Sequence, residues 1–363
     1  MNEDLQTLEK NSFYEDDNAD LPPADIVAYN ELRSCADLNR MYNEGILEIQ
    51  PEFQREIVWK NADQTRFIDS LIKQLPIPSM CFSLDYKTQK WQVIDGLQRM
   101  SSIIRFLGVG DWKLAKLEDI DNKISGKRLS LFKDNSSELN LFYLRVKNLS
   151  LPITVIRCDY KKPSHTHYLF TIFHRLNTGG MRLNNQEIRN CIYAGSFNNF
   201  LKECNENKYW VALQDIKEGK IYRFSKVELI LRFFAFYDNL SKYTGRLARF
   251  LNDYMYQNTN INSENIDKKR YLFESTVKIV LEKISDNREL TNIPNTVFEA
   301  IMYGVAKNIT ALGNVTEKEM KKMYLLLKND NAFREENLKS GLADKDKVSE
   351  RLNAAEIIFS FPK

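Results

Sequence analysis

The 363 residues, 43% hydrophobic and 28% charged, are enough for one large or two smaller domains with a sizeable core. Lysine and arginine (52) barely exceed aspartate and glutamate (49), so bulk charge does not mark a nucleic-acid binder and any basic surface must be local. No apolar run approaches a membrane span and the N-terminus is acidic and polar rather than a signal segment, which makes the cytoplasm the expected location.

Residues 1–25 are acidic and weakly patterned (Glu15, Asp16, Asp17, Asp20, then Pro22-Pro23), and a flexible leader is expected there. Ala36 to Glu44 reads as a helix closed by Gly45, Ile46 to Ile49 as a strand, and Pro51 to Arg55 as a loop leaving it. A helix from about Asn61 carries the stripe Phe67, Ile68, Leu71, Ile72 and Leu75, and Pro76 and Pro78 end it before a strand at Met80 to Leu84. Trp91 to Ile94 alternates like a second strand. Downstream, Met100, Ile103, Ile104 and Leu107 recur at the spacing of one helical face.

A polar segment from Lys123 to Asn140 precedes a strand at Ile153 to Ile156. The helix Ser164 to Leu176 has Leu169, Phe170, Phe173 and Leu176 on its core face and runs into Asn177-Thr178-Gly179-Gly180, whose glycines permit positive φ and close approach. Asn184 then caps a helix that carries Glu187 and Arg189. Beyond it the pattern is almost wholly helical, including Val227 to Leu240, Lys269 to Ile284, Thr296 to Asn308, Lys318 to Lys328 and Lys347 to Ser360. Phe233, Phe234, Phe236 and Tyr237 crowd one helix that is apolar over most of its circumference, which assigns them to packing.

The five cysteines form no Cys-x-x-Cys pair and read as reduced, mostly buried thiols. His165, His167 and His174 lie close together, but no cysteine or carboxylate completes a ligand spacing around them, and the ββα-metal arrangement that a His-dependent nuclease needs, with nearby Asn and a second His, is absent.

The stretch richest in chemistry is Ile94-Asp95-Gly96-Leu97-Gln98-Arg99-Met100, which sets a polar cluster at a strand-to-helix turn. The first helical N–H groups lack intrahelical partners and the dipole there is positive, so a phosphate or carboxylate is stabilised. Gly96 lets backbone approach an anion, and Arg99 can fork onto it with paired donors. The alternative is an ordinary turn, with Asp95 capping the helix and Arg99 paired to a carboxylate.

Three blocks, Phe53-Gln54-Arg55-Glu56-Ile57-Val58-Trp59, Ile94-Asp95-Gly96-Leu97-Gln98-Arg99, and Phe173-His174-Arg175-Leu176-Asn177-Thr178-Gly179-Gly180 followed by Glu187, resemble in order and separation the signatures of the DUF262 family. This is the domain found in the N-terminal part of GmrSD-type modification-dependent restriction enzymes. Arg223 to Phe233 and Phe250 to Met255 resemble the family's helical part, with Arg223 and Glu228 at family positions.

The resemblance implies an α+β fold, with a ParB/sulfiredoxin-like core over residues 26–195 and a predominantly helical domain over 196–363. It implies a nucleoside triphosphate and Mg²⁺ as cofactors and a role as NTP hydrolase or NTP-gated sensor in bacterial anti-phage defence. Asp95, Gln98 and Arg99 are the implied catalytic residues, with Asp95 toward Mg²⁺ and Gln98 toward the attacking water. Gln54, Arg55, Gly96, Arg99, Ser102, Arg105, Asn177, Thr178, Gly179 and Gly180 are the candidate phosphate-binding set. Leu97 stands where the family's commonest motif has a second amide. Longer members add a His-Asn-His-type nuclease domain for which this sequence has no histidines, so a separately encoded nuclease or effector is an expected partner. Two other readings stay open: a ParB-like DNA-binding or DNA-nicking module, served by Lys123, Lys127, Arg128, Lys242, Arg246 and Arg249, and a non-catalytic scaffold.

Overall fold

The computed structural model describes residues 22–49, 59–176, 184–213, 225–286, 288, 290, 293–334, 336–338 and 341–360. The fold is α+β, and its contacts divide the described chain into two compact units, residues 22–176 and residues 184–360.

The first unit is built on strands β1 (Val27–Ser34), β2 (Leu47–Glu48), β3 (Met80–Asp85), β4 (Lys90–Asp95) and β5 (Ser150–Cys158). They form one mixed sheet in the order β1-β5-β3-β4-β2. The β1–β5 and β3–β4 pairs are antiparallel, and β3–β5 and β2–β4 are parallel. Helices α1 (Cys35–Asn43), α2 (Asn61–Ile72), α3 (Leu97–Leu107), α4 (Leu129–Lys133), α5 (Asn140–Asn148) and α6 (Pro163–Leu176) surround it. Ser34 ends β1 and caps α1, its hydroxyl accepting the Asp37 N–H at 3.1 Å.

Apolar periodicity located most of these elements, and the departures have local causes. Strand β1 was not among the predicted elements. It is an edge strand with Val27, Tyr29 and Leu32 exposed, so burial imposes no alternation on its sequence. Leu75, expected on the α2 stripe, lies past the helix and is 49% exposed, because Gln74 adopts a φ of 56° and breaks the helix before Pro76. Strand β5 begins earlier than expected, at Ser150. Its Pro152 precedes Ile153, where the β3 pairing starts, so the missing N–H costs that ladder nothing.

One sheet face carries Phe82, Trp91, Ile153 and Val155 into a cluster with Leu38, Ile68, Leu71, Ile103 and Phe106. Phe106 stands edge-on to Phe132, with centroids 5.5 Å apart, and truncating such a ring to alanine forfeits roughly 3–5 kcal/mol. Helix α6, with Leu169, Phe170 and Phe173 buried, packs against β4.

The second unit consists of helices α7 (Asn185–Ile192), α8 (Ser196–Asn205), α9 (Lys208–Leu213), α10 (Ser225–Asn239), α11 (Leu247–Asn258), α12 (Ser263–Lys283), α13 (Asn295–Lys307), α14 (Ile309–Leu312), α15 (Glu317–Asn329) and α16 (Lys345–Phe359) among the described residues. Helices α13 and α16 meet at Gly304, where a Cβ would lie 2.6 Å from the Ala355 carbonyl oxygen. Phe233, Phe234 and Phe236 are buried. No described helix is long and apolar enough to cross a membrane.

Asp25, just ahead of β1, pairs with Lys162 and with His165 Nε2 at 2.8 Å. Buried His165 accepts the Asp159 N–H on Nδ1 at 3.0 Å, so Nε2 is its donor. Lys162 first, then His165, hold the Asp25 carboxyl down to about 2 from 3.8. A carboxyl depressed in the folded state stabilises above its unfolded pKa and loses that contribution as pH falls through the folded one. Between pH 4 and pH 2 the melting temperature of the wild type will therefore fall more steeply than that of Asp25→Asn. Parallel melting curves across that window would show that the tie contributes nothing.

Candidate functional site

Strand β4 pairs with β3 through a register shift: Cys81 faces Asp95, but Phe82 faces Val93. Ile94 is thus an extra residue on β4, a bulge that bends the strand immediately before the polar turn. Gly96 follows with φ 95° and ψ 16°, in the left-handed region. A Cβ at this position would meet Met80 Cγ at 2.5 Å, so both the backbone angle and the close approach demand glycine. Helix α3 begins at Leu97, and the Met100 N–H donates to the Gly96 carbonyl at 2.8 Å.

No side chain caps α3. The first N–H groups of an eleven-residue helix therefore point out of the turn with the positive end of its dipole. Asp95 does not cap the helix; its Oδ2 accepts from Arg99 Nη2 at 2.9 Å. The guanidinium also donates to the Pro78 carbonyl and, at 3.5 Å, to that of Ser79. Arg99 is 15% exposed and Asp95 35%. Burial pulls the Arg99 pKa below its ordinary value and the Asp95 charge opposes that fall, which leaves the group charged at any physiological pH.

Gln98 leans the other way, its Oε1 accepting the Trp59 N–H at 3.3 Å. Trp59 closes the first signature block, so this bond joins the first block to the second. Gln64 completes the contact: its Nε2 donates to the Trp59 carbonyl at 3.3 Å and its Oε1 accepts from Arg105 Nη1 at 2.6 Å. Arg105 lies 4.5 Å over the Trp112 ring, whose Nε1 donates to Asn61 Oδ1 at 2.6 Å.

Ser102 is fully buried, its hydroxyl donating to the Gln98 carbonyl at 2.7 Å, so it supports the helix rather than facing an open surface. Leu97 packs against the apolar cluster of the sheet. Gln54, Arg55, Asn177, Thr178, Gly179, Gly180 and Arg223 lie outside the described residues.

Gln64 was missed in the sequence, although a signal existed. It occupies the stripe of Phe67, Ile68 and Leu71 on α2, and a polar residue on a buried face needs a partner. Of potential cation ligands, Asp95 offers a partly exposed carboxylate. Among the described residues no group of three His, Cys, Asp or Glu side chains is placed to hold a metal.

The third block contributes helix α7 in the second unit. Asn184 and Glu187 form a reciprocal capping box, the Glu187 N–H to Asn184 Oδ1 at 2.9 Å and the Asn184 N–H to Glu187 Oε2 at 2.6 Å. Arg189, 1% exposed, pairs with Glu228 at 2.8 Å and donates from Nε to Asn252 Oδ1 at 2.9 Å. Glu228 is thus one side of a largely buried ion pair.

Gly96→Ala tests the turn. Strain at a left-handed non-glycine together with the Met80 clash will lower stability by about 1–3 kcal/mol, read as a lower urea midpoint at unchanged slope. An unchanged midpoint would show that the turn relaxes without cost.

No curated protein matches the chain. Residues 36–194 match the family model of the N-terminal domain of the GmrSD restriction endonuclease. The match takes in all three signature blocks and helix α7. The similarity to that domain is confined to residues 36–194, a little under half of the chain.

Proposed function

We propose that the protein is a nucleotide-dependent component of restriction-type anti-phage defence, in which the turn from Asp95 to Arg99 receives the phosphates of a nucleoside triphosphate. The observation that carries this reading is the uncapped start of α3 behind a left-handed glycine, with a guanidinium and a carboxylate beside it. The N–H groups of Leu97, Gln98 and Arg99 suit phosphate oxygens, because helix-terminal amides favour negative charge without reorganising.

Arg99 is preorganised. The Pro78 and Ser79 carbonyls and Asp95 hold its plane, and its remaining N–H donors are available to charge that grows during phosphoryl transfer. Gln98 has committed its carbonyl oxygen to Trp59, so its NH₂ group is the half that orients a water or a phosphate. Arg105 extends positive charge along α3. Asp95 has one oxygen on Arg99 and the other to offer; with phosphate oxygens and water that suits Mg²⁺, which when bound neutralises phosphate charge. DNA cleavage falls to a separate nuclease partner, and the cytoplasm is the compartment in which such a system acts.

The test is phosphate release from ATP, GTP, CTP and UTP with Mg²⁺, with melting curves to confirm that each variant is folded. The wild type will turn over at least one nucleotide. Arg99→Ala and Asp95→Asn will each lose about 10²-fold or more in kcat, the scale of removing a preorganised charge from a transition state. Arg99→Ala turning over like wild type, or no binding of any of the four nucleotides by wild type, would overturn the reading.

A further inference from the structure

We propose that the open half of the sheet face beside the Asp95 turn seats the nucleoside of the bound triphosphate, with Ser79, Thr154 and Asn30 on the ribose hydroxyls and Leu32 and Pro152 under the base. Resting on the phosphate reading of that turn, the site extends it across three further strands. Asn30 and Leu32 lie ahead of residues 36–194, outside the family match.

Strand parity and register put these residues together. Phe82, Ile153 and Val155 face the apolar cluster, so their neighbours Cys81, Pro152 and Thr154 face away from it. Asp95 pairs with Cys81, Cys81 with Thr154, and Thr154 with Asn30, which makes one row across β4, β3, β5 and β1. At about 4.8 Å per strand the row spans roughly 14 Å, the reach of an extended nucleoside triphosphate from terminal phosphate to base. Leu32 and Pro152 form the next pair on that face. Hydrogen bonds tie the row to the turn: the Thr154 hydroxyl donates to Asn30 Oδ1 at 2.9 Å, Ser79 Oγ lies 3.0 Å from Thr154 Oγ1, and the Ser79 carbonyl accepts from Arg99. Burial, and then the facing Asp95 charge, push the Cys81 thiol up to about 12, so the middle of the row adds no charge of its own.

A sheet face often carries serine and threonine merely because water meets it, but this half is set apart. Elsewhere the same face is closed: Ser83, Ile94 and Ile156 are buried, and the Tyr160 hydroxyl accepts from Ser83 at 2.5 Å and donates to Gln92 Oε1 at 2.9 Å. Beside the turn, Asn30 and Ser79 are exposed, and Leu32 stands 72% exposed on the same side. A polar row next to an apolar one matches a nucleoside, whose sugar carries hydroxyls and whose base has an apolar face. Neighbouring ribose hydroxyls both donate and accept. The Ser79 and Thr154 oxygens can accept, and the Asn30 NH₂ group, which has no partner among the described residues, can donate.

Calorimetric titration of the full chain with the four NTPs, their 2′,3′-dideoxy analogues and inorganic tripolyphosphate, with Ca²⁺ in place of Mg²⁺ to hold turnover down, tests the site. The wild type will bind at least one NTP about tenfold more tightly than its dideoxy analogue, because a site built around a hydroxyl rejects the ligand that lacks it, and more tightly still than tripolyphosphate. Thr154→Val will bring the NTP and its dideoxy analogue to within about twofold of each other, while Thr154→Ser, which keeps the hydroxyl, will preserve the ratio. Leu32→Ser, at an exposed position, will weaken the NTP and the dideoxy analogue alike, by roughly threefold to tenfold. Tripolyphosphate affinity will be the same in all three variants, and melting curves will confirm that each is folded. Equal wild-type affinity for NTP and dideoxy analogue overturns the proposal, as do Thr154→Val and Leu32→Ser variants that bind like wild type; both results leave the phosphate reading standing. A wild type that binds none of these compounds overturns the phosphate reading and the nucleoside site together.

Discussion

The approach of the Gly96 backbone to the Met80 side chain is the contact on which the first unit turns. Met80 opens β3 and Gly96 follows the last residue of β4, so the contact closes the open end of that antiparallel pair and fixes where α3 begins. Arg99 reaches the same place from the helix, donating to the carbonyls of Pro78 and Ser79 just ahead of Met80. A larger residue at 96 would push α3 away from the sheet and draw Met100, Ile103 and Phe106 out of the core with it. Site geometry and core packing are in this way one constraint, and the bulge at Ile94 is the local bend that allows both.

The same coupling governs electrostatics. Removing a guanidinium from water is costly unless its donors are met, and here two carbonyls and a carboxylate meet three of the five. The Asp95–Arg99 pair is neutral as a unit, so the attraction for an anion comes from the uncapped end of α3 and the uncommitted donors of Arg99. On the next face, Trp59, Gln64, Gln98 and Arg105 form a chain of hydrogen bonds in which each amide is used at both ends or fixed at one. Such a chain orders the entry to α2 and the first turn of α3 together, because breaking it leaves a buried Gln64 unsatisfied.

Much of this was legible in the sequence. Apolar spacing located α2, α3, α6 and the long helices of the second unit, and the strand-turn-helix around Asp95 was visible from the change of period from two to 3.6. Asn184 announced its cap. What the sequence concealed was the choice of tertiary partner. The Asp95–Arg99 spacing allows their pairing, but nothing local says that Arg99 reaches the Pro78 carbonyl, or that Gln64 joins Trp59 to Arg105. Strand β1 was hidden because an exposed edge imposes no pattern, and α2 was drawn one turn too long because Leu75 fits the stripe that the left-handed Gln74 interrupts.

Helix α7 shows why motif membership and chemistry have to be separated. Gln186, Glu187, Arg189 and Asn190 are polar, yet every residue from Asn185 to Ile192 is buried. Glu187 caps its own helix and Arg189 holds α10 and α11 through Glu228 and Asn252. These residues fall within the family match and have structural work to do; breaking a pair as buried as Arg189–Glu228 costs about 3–5 kcal/mol. Arg99 stands between the two cases, since the bonds that aim it at the mouth of the turn also tie α3 to the sheet. Its removal subtracts from stability and from any phosphate chemistry together, and only the part of a lost rate that exceeds the lost folded population belongs to the chemistry.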